Sequence, residues 1–185
     1  MMASAFRKLA FTPNVLAIQE QNGSSLQWND TDDAFVEDPV HLSEFETSFI
    51  ESQDHFYQAT VGENGWPYVQ YKGGPSGFLK VLDSETIGYA DFKGNRQYIS
   101  TGNLTGDNRV HLIFIDYATR QRLKVWGHAT IINEQNNSRL LKELEIPTYR
   151  ARVERGVVIK ILAFDWNCPQ HITKRYTEEE WALQT

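Results

Sequence analysis

Between His55 and Phe164 the chain alternates apolar and polar residues in seven short runs, most of them separated by connections too short to hold a helix. A period of two marks a half-buried strand, and seven such runs in succession restrict the fold more than any other feature of the sequence. The runs are His55 to Val61, Trp66 to Tyr71, Phe78 to Leu82, Thr86 to Tyr89, Arg109 to Asp116, Arg122 to Ile132 and Gly156 to Phe164. Gly62-Glu63-Asn64-Gly65 joins the first two as a hairpin with Asn-Gly in its turn, and Asp83-Ser84-Glu85 joins the third and fourth. Such spacing favours a closed or nearly closed antiparallel barrel. A parallel dinucleotide-binding sheet is disfavoured, because no strand leads through a G-x-G-x-x-G turn into a crossover helix.

Helical signals are brief and lie mostly before the strands. Phe6 to Gln21 carries Leu9, Ala10, Val15, Leu16 and Ile18 around Pro13, which predicts a short helix from near Thr12 to Gly23. Ser43-Glu44-Phe45-Glu46 is a capping box, with Phe45, Phe49 and Ile50 forming one face of a helix that ends near Asp54. A further short helix is predicted from Ser138 to Leu144. The acidic stretch Asn29 to Asp38 lacks the central glycine and terminal glutamate of a calcium loop and reads as a solvated linker. The organisation is one domain: helices over 1–54, the barrel over 55–165, and a C-terminal loop and tail over 166–185.

A domain of 185 residues buries enough surface to fold without staples, and the lone Cys168 allows no internal disulfide, which fits a cytoplasmic setting. Met1 to Leu9 has no apolar core before a small-residue cleavage site, and no window approaches the roughly 20 apolar residues of a membrane span. A formal net charge of −6 argues against general nucleic-acid binding, though local basic residues can still hold one small anion. His41, His55, His111, His128 and His171 show no metal-ligand spacing, so no metal site is predicted.

Four segments concentrate groups that carry chemistry. Tyr71 to Phe78 holds three glycines and a proline beside Lys72, so its amides can approach a ligand closely, or it is a strand bulge. In Phe92 to Leu104, Asn95 reads as an N-cap with Arg96 on the first helical turn, where free amides and the helix dipole favour a phosphate. Arg122, Lys124, Trp126 and His128 alternate onto one strand face, suited to a flat polar ring or to solvent. Phe164 to Tyr176 leaves the last strand and gathers donors, acceptors and aromatic rings around Pro169 in one irregular loop.

Trp66 to Pro75, Gly77 to Asp83, Gly94 to Tyr98, Thr101 to Leu104 and Asn167 to Ile172, in this order, resemble the flavin-nucleotide-binding proteins related to pyridoxamine 5'-phosphate oxidase. The resemblance covers about Ser43 to Tyr176 and implies a mainly β fold with short helices: an antiparallel, Greek-key FMN-binding split barrel. It further implies a homodimer with each FMN in a cleft between subunits. By matching position, Arg96 is carried over as the first phosphate ligand, with Asn95 and Gln97 beside it; Lys72 is the candidate replacement for a second cation. Lys80 falls where the oxidases carry a lysine, although Gly77-Phe78 stands in place of their arginine-containing run. Phe78, Asp91, Arg122 and Trp126 are the candidates for the ribityl chain and ring, and Asn167, Gln170 and His171 for the substrate side. The oxidases follow their C-terminal tryptophan with an Arg-Leu-His-type segment, whereas Trp166 here is followed by Asn167-Cys168-Pro169-Gln170-His171. The implied role is therefore FMN-dependent redox chemistry on a small molecule other than pyridoxamine phosphate, with a non-catalytic FMN carrier, sensor or scavenger as the alternative.

Overall fold

In the computed structural model, residues 4–25 and 40–183 are described. Two helices, α1 (Ser4–Ala10) and α2 (Pro13–Gln21), precede α3 (Glu44–Ser52). Then come β1 (His55–Val61), β2 (Pro67–Gly73), β3 (Leu79–Asp83), β4 (Thr86–Phe92), α4 (Ile99–Gly106), β5 (Arg109–Asp116), β6 (Gln121–Ile132), α5 (Glu134–Leu144), β7 (Val153–Trp166) and α6 (Glu178–Ala182). The seven predicted strands all form, each within three residues of its expected bounds.

The strands build one antiparallel sheet in the order β2-β1-β5-β6-β7-β4-β3. Alternation explains how it closes on a core. In β6, Leu123, Val125, Gly127 and Ala129 are buried while Arg122, Lys124, Trp126 and His128 take the outward face. Phe56, Leu112, Phe114, Ile159 and Ile161 fill the interior with them. The sheet curls until its two sides meet through side chains: Tyr89 of β4 donates to Gln58 of β1 at 2.7 Å, and Lys72 of β2 meets Asp91 of β4 at 2.7 Å. The result is a barrel split between β2 and β4, as the resemblance implies.

Short helices seal this barrel. The Ser43–Glu46 capping box forms as predicted and starts α3, whose Phe49 and Ile50 enter the core. Burying two such side chains contributes about 1.5–3 kcal/mol each. Trp166, at the end of β7, packs edge-on to Phe49 and donates to Glu46 at 2.8 Å, tying strand to helix. On the opposite surface α1 sets Phe6 against Trp126 with ring centres 5.3 Å apart.

Several predicted boundaries differ. Pro13 opens a second helix behind Thr12, so the N-terminal segment holds two helices, not one. α5 begins at Glu134 because Asn133 and Asn136 form a reciprocal cap, and its helical path breaks at Asn137 before resuming. α4 begins at Ile99, which relocates the predicted anion site. The acidic stretch Asn29 to Asp38 lies outside the described residues. Among those described, no helix is long and apolar enough to cross a membrane.

Candidate functional site

Where β2 and β4 face each other across the split, a cleft of about 380 Å³ opens, within the range of small-molecule sites. Gln70 and Lys72 of β2 form one wall and Tyr89 and Asp91 of β4 the other, with Phe78 at the base and the 93–98 loop as the rim. The alternation that buries Gln58 and Phe56 on β1 turns their β2 partners, Gln70 and Lys72, to the same inner side.

The rim takes its shape from local chemistry. Asn95 Oδ1 accepts the Gln97 amide at 3.1 Å, and its Nδ2 donates to Gln97 Oε1 at 3.2 Å, which makes an Asx turn instead of the predicted helix cap. Arg96 (φ +63°) and Tyr98 (φ +54°) both adopt left-handed backbone, at a cost of about 1–3 kcal/mol each. Tyr98 is the N-cap of α4 and supplies no side-chain cap. The first-turn amides of Ile99, Ser100 and Thr101, all lining the cleft, have no acceptor within the helix and are available to an anion. The helix start predicted at Asn95 lies four residues further on, at Ile99, and Arg96 is on the loop before it.

Side chains on β7 hold the rim in place. The Arg155 guanidinium lies over the Tyr98 ring at 4.9 Å, donates to Thr101 Oγ1 at 2.8 Å and donates to Glu154 Oε2 at 2.8 Å. It also faces Asp91 at 3.8 Å, and Asp91 in turn pairs with Lys72. Arg96 Nε donates to the Tyr98 hydroxyl at 3.3 Å, and that hydroxyl donates to Glu154 Oε1 at 3.2 Å. The Tyr98 hydroxyl, with the charge of Glu154 behind it, pushes the Arg96 pKa still higher, so this guanidinium stays charged at any physiological pH. Ser100 donates to Gln70 at 2.6 Å and Asn103 to Thr60 at 3.0 Å, fastening α4 to the barrel.

The cleft thus has a cationic, amide-rich end at Lys93, Arg96 and the α4 N-terminus, and a wall of aromatic and carboxamide groups leading from it. A phosphate monoester joined to a polyol and a flat ring matches that order of groups.

Comparison with known proteins agrees with this architecture. The family described as pyridoxamine 5'-phosphate oxidase matches residues 42–160, well over half of the chain. The chain belongs to the pyridoxamine 5'-phosphate oxidase family. No curated protein sequence matches it. Among solved structures it is similar to HupZ of Group A Streptococcus, at 18% identity and a TM-score of 0.55, covering 73% of this chain and 99% of that one. It is also similar to a Lactobacillus delbrueckii protein described as a candidate pyridoxamine 5'-phosphate oxidase, at 22% identity and a TM-score of 0.51, covering 69% and 96%. An FMN-binding protein of Syntrophomonas wolfei matches at 12% identity and a TM-score of 0.50, covering 82% and 97%. At these identities the structures establish the shared fold of the family.

Within this family fold the predicted site residues fall into two groups. Lys72, Phe78, Asp91, Asn95, Arg96 and Gln97 come together around the cleft. Arg122 and Trp126 stand on the outward face of β6, and Asn167 bonds through its amide to the Arg122 carbonyl at 3.0 Å, followed by Gln170 and His171 on an exposed loop. About 40 Å of strand separates Glu154 from Asn167, so one chain does not bring this second group to the cleft. The tail turns elsewhere too: Arg175, Tyr176 and Thr177 line a separate hollow with Gln53 and Tyr117, not the cleft expected to lie beneath residues 166–185. Lys80 belongs to neither group. Its ammonium donates to the carbonyls of Glu143 and Glu145 and caps the C-terminal end of α5.

Glu154, Arg155 and Tyr98, together with Gln70 on the wall and Lys93 on the rim, are residues that sequence reading missed. Arg155 braces the cleft residues Asp91, Tyr98 and Thr101 from behind because it is paired with Asp91 across the β4–β7 ladder, a relation that becomes visible only once the register is known.

Proposed function

We propose that this chain is an FMN-binding protein whose bound flavin is used for oxidation or reduction of a small molecule other than pyridoxamine phosphate. The observation that carries the reading is the conjunction of Arg96, Lys93 and the uncapped α4 N-terminus at one end of a cleft walled by aromatic and amide side chains. Membership in a family that typically binds FMN supports it. Arg96 and the α4 amides would hold the phosphate, Gln70 and Asn95 would meet the polyol hydroxyls, and Phe78 would back the body of the cofactor. FMN supplies hydride or single-electron transfer when bound, and the protein orients it and controls access. The second residue group, Arg122, Trp126, Asn167, Gln170 and His171, would reach the flavin from a second copy of the chain in a homodimer. The visible spectrum of the purified protein and mass analysis of what denaturation releases test this reading. Released FMN, followed by flavin reduction by an added donor and reoxidation by a small acceptor, supports it; a colourless protein that ignores added FMN overturns it.

A further inference from the structure

Glu154 is an acid placed in an anion site. It lines the same cleft as Lys93, Arg96 and the first turn of α4. The other acid there, Asp91, is matched by Lys72 on one side and Arg155 on the other. Arg155 pairs more closely with Glu154, at 2.8 Å, than with Asp91, at 3.8 Å, and Glu154 also draws on the groups that shape the rim. One carboxylate oxygen accepts from the Tyr98 hydroxyl and the other from Arg155 Nη2, and Arg96 donates to that same hydroxyl. The carboxylate is therefore one hydroxyl away from the guanidinium that an incoming phosphate would meet.

We propose that Glu154 is a built-in counter-anion of the cradle, holding the Tyr98–Arg155–Arg96 cluster where a phosphate would otherwise neutralise it, so that a phosphorylated ligand must displace it or bind against its charge. The inference rests on reading the cleft as a phosphate site. Two consequences follow from the geometry. The left-handed turns at Arg96 and Tyr98 are held in shape without a ligand, because the Tyr98 ring and hydroxyl are fixed by Arg155 and Glu154. Affinity for phosphate is lowered in exchange, because two like charges are brought together at one end of the cleft. The site is thereby tuned toward release and exchange of its ligand.

Equilibrium titration of flavin-free protein and of Glu154→Gln with FMN, riboflavin and inorganic phosphate tests this. Glutamine keeps the shape, its carbonyl oxygen can still accept from Arg155 and its NH2 can donate to the Tyr98 hydroxyl oxygen, so the variant removes the charge while keeping a polar contact to each group. Glu154→Gln should bind FMN about tenfold more tightly at low salt, with the gain shrinking as salt rises. Inorganic phosphate should shift in the same direction and riboflavin, which lacks the phosphate, should not. Glu154→Ala should show the same ordering and guards against a folding defect peculiar to one variant. If FMN and riboflavin affinities stay fixed or fall together, Glu154 serves the polyol or the loop and the proposal is overturned. If neither protein binds any flavin, the flavin reading fails separately. The phosphate titration then decides on Glu154, since an unchanged or weaker phosphate affinity overturns the proposal.

Discussion

At the scale of single residues, the cleft depends on a few hydrogen bonds with no spare partners. The Arg96 side chain is held through the Tyr98 hydroxyl, and its loss should weaken FMN binding about tenfold while leaving riboflavin affinity nearly unchanged. Fluorescence titration with both flavins checks this; equal affinity for FMN in wild type and Arg96→Ala would remove Arg96 from the site. Behind the rim, Tyr89 and Gln58 form a buried pair in which Gln58 Nε2 already lacks a partner. Tyr89→Phe should therefore cost about 1–3 kcal/mol, and adding Gln58→Met should recover much of it, as read from denaturant midpoints. Burial, assisted by the Asp91 carboxylate, pushes the Tyr89 phenol well above its ordinary value. The folded state then keeps a proton that the unfolded chain gives up, so this stabilisation is complete below about pH 10 and declines as pH rises toward the folded value. Tyr89→Phe should flatten that alkaline decline. Residue chemistry was only partly legible in the sequence. Asn95 was visible as a side chain that accepts a nearby amide, but an Asx turn and an N-cap use the same bond, and only the left-handed backbone at Arg96 and Tyr98 separates them. Lys80 read as a ligand cation because nothing local shows that α5 ends beside it.

At the scale of elements, the strands were legible because alternation is local and each inward residue has to be apolar to join the core. The same reason made the Ser43 capping box readable, since both of its partners lie within one turn. Glu154 and Arg155 were not legible, because apart from each other the side chains they bond lie 54 or more positions away along the chain and are brought near only by the fold. α1 was missed for a related reason: it is short, and its support is tertiary. Phe6 is 5% exposed, packs at a tilt against Trp126 and receives the Lys124 ammonium over its ring at 5.2 Å. A seven-residue helix has little stability of its own, so these contacts determine whether it forms. Phe6→Ala should accordingly cost about 3 kcal/mol and detach α1, raising Trp126 fluorescence quenching by iodide. A stability change below measurement error, with Trp126 still shielded, would show that α1 is held by something other than Phe6.

At the scale of the whole molecule, the cleft residues and the pair Arg122 and Asn167 lie toward opposite ends of the long strand β7, with Trp126 midway along β6. The phosphate group gathers where β7 begins, and Arg122 with Asn167 gathers where β7 ends. Arg122 Nε is buried there with no hydrogen-bond partner among the described residues. Both groups can serve one flavin only if two copies of the chain each contribute one group, as a two-fold homodimer would allow. Mixing tests this directly. Arg96→Ala and Arg122→Ala should each bind FMN weakly alone, because every cleft of either homodimer carries a damaged half. When the two variants are unfolded together and refolded, a mixed pair places both lesions in one cleft and leaves the other cleft intact. Tight FMN binding should therefore reappear in the refolded mixture but not in either variant treated alone. If mixing restores nothing while light scattering shows that dimers form, Arg122 does not reach the partner's cleft, and the cofactor is held by one chain's residues.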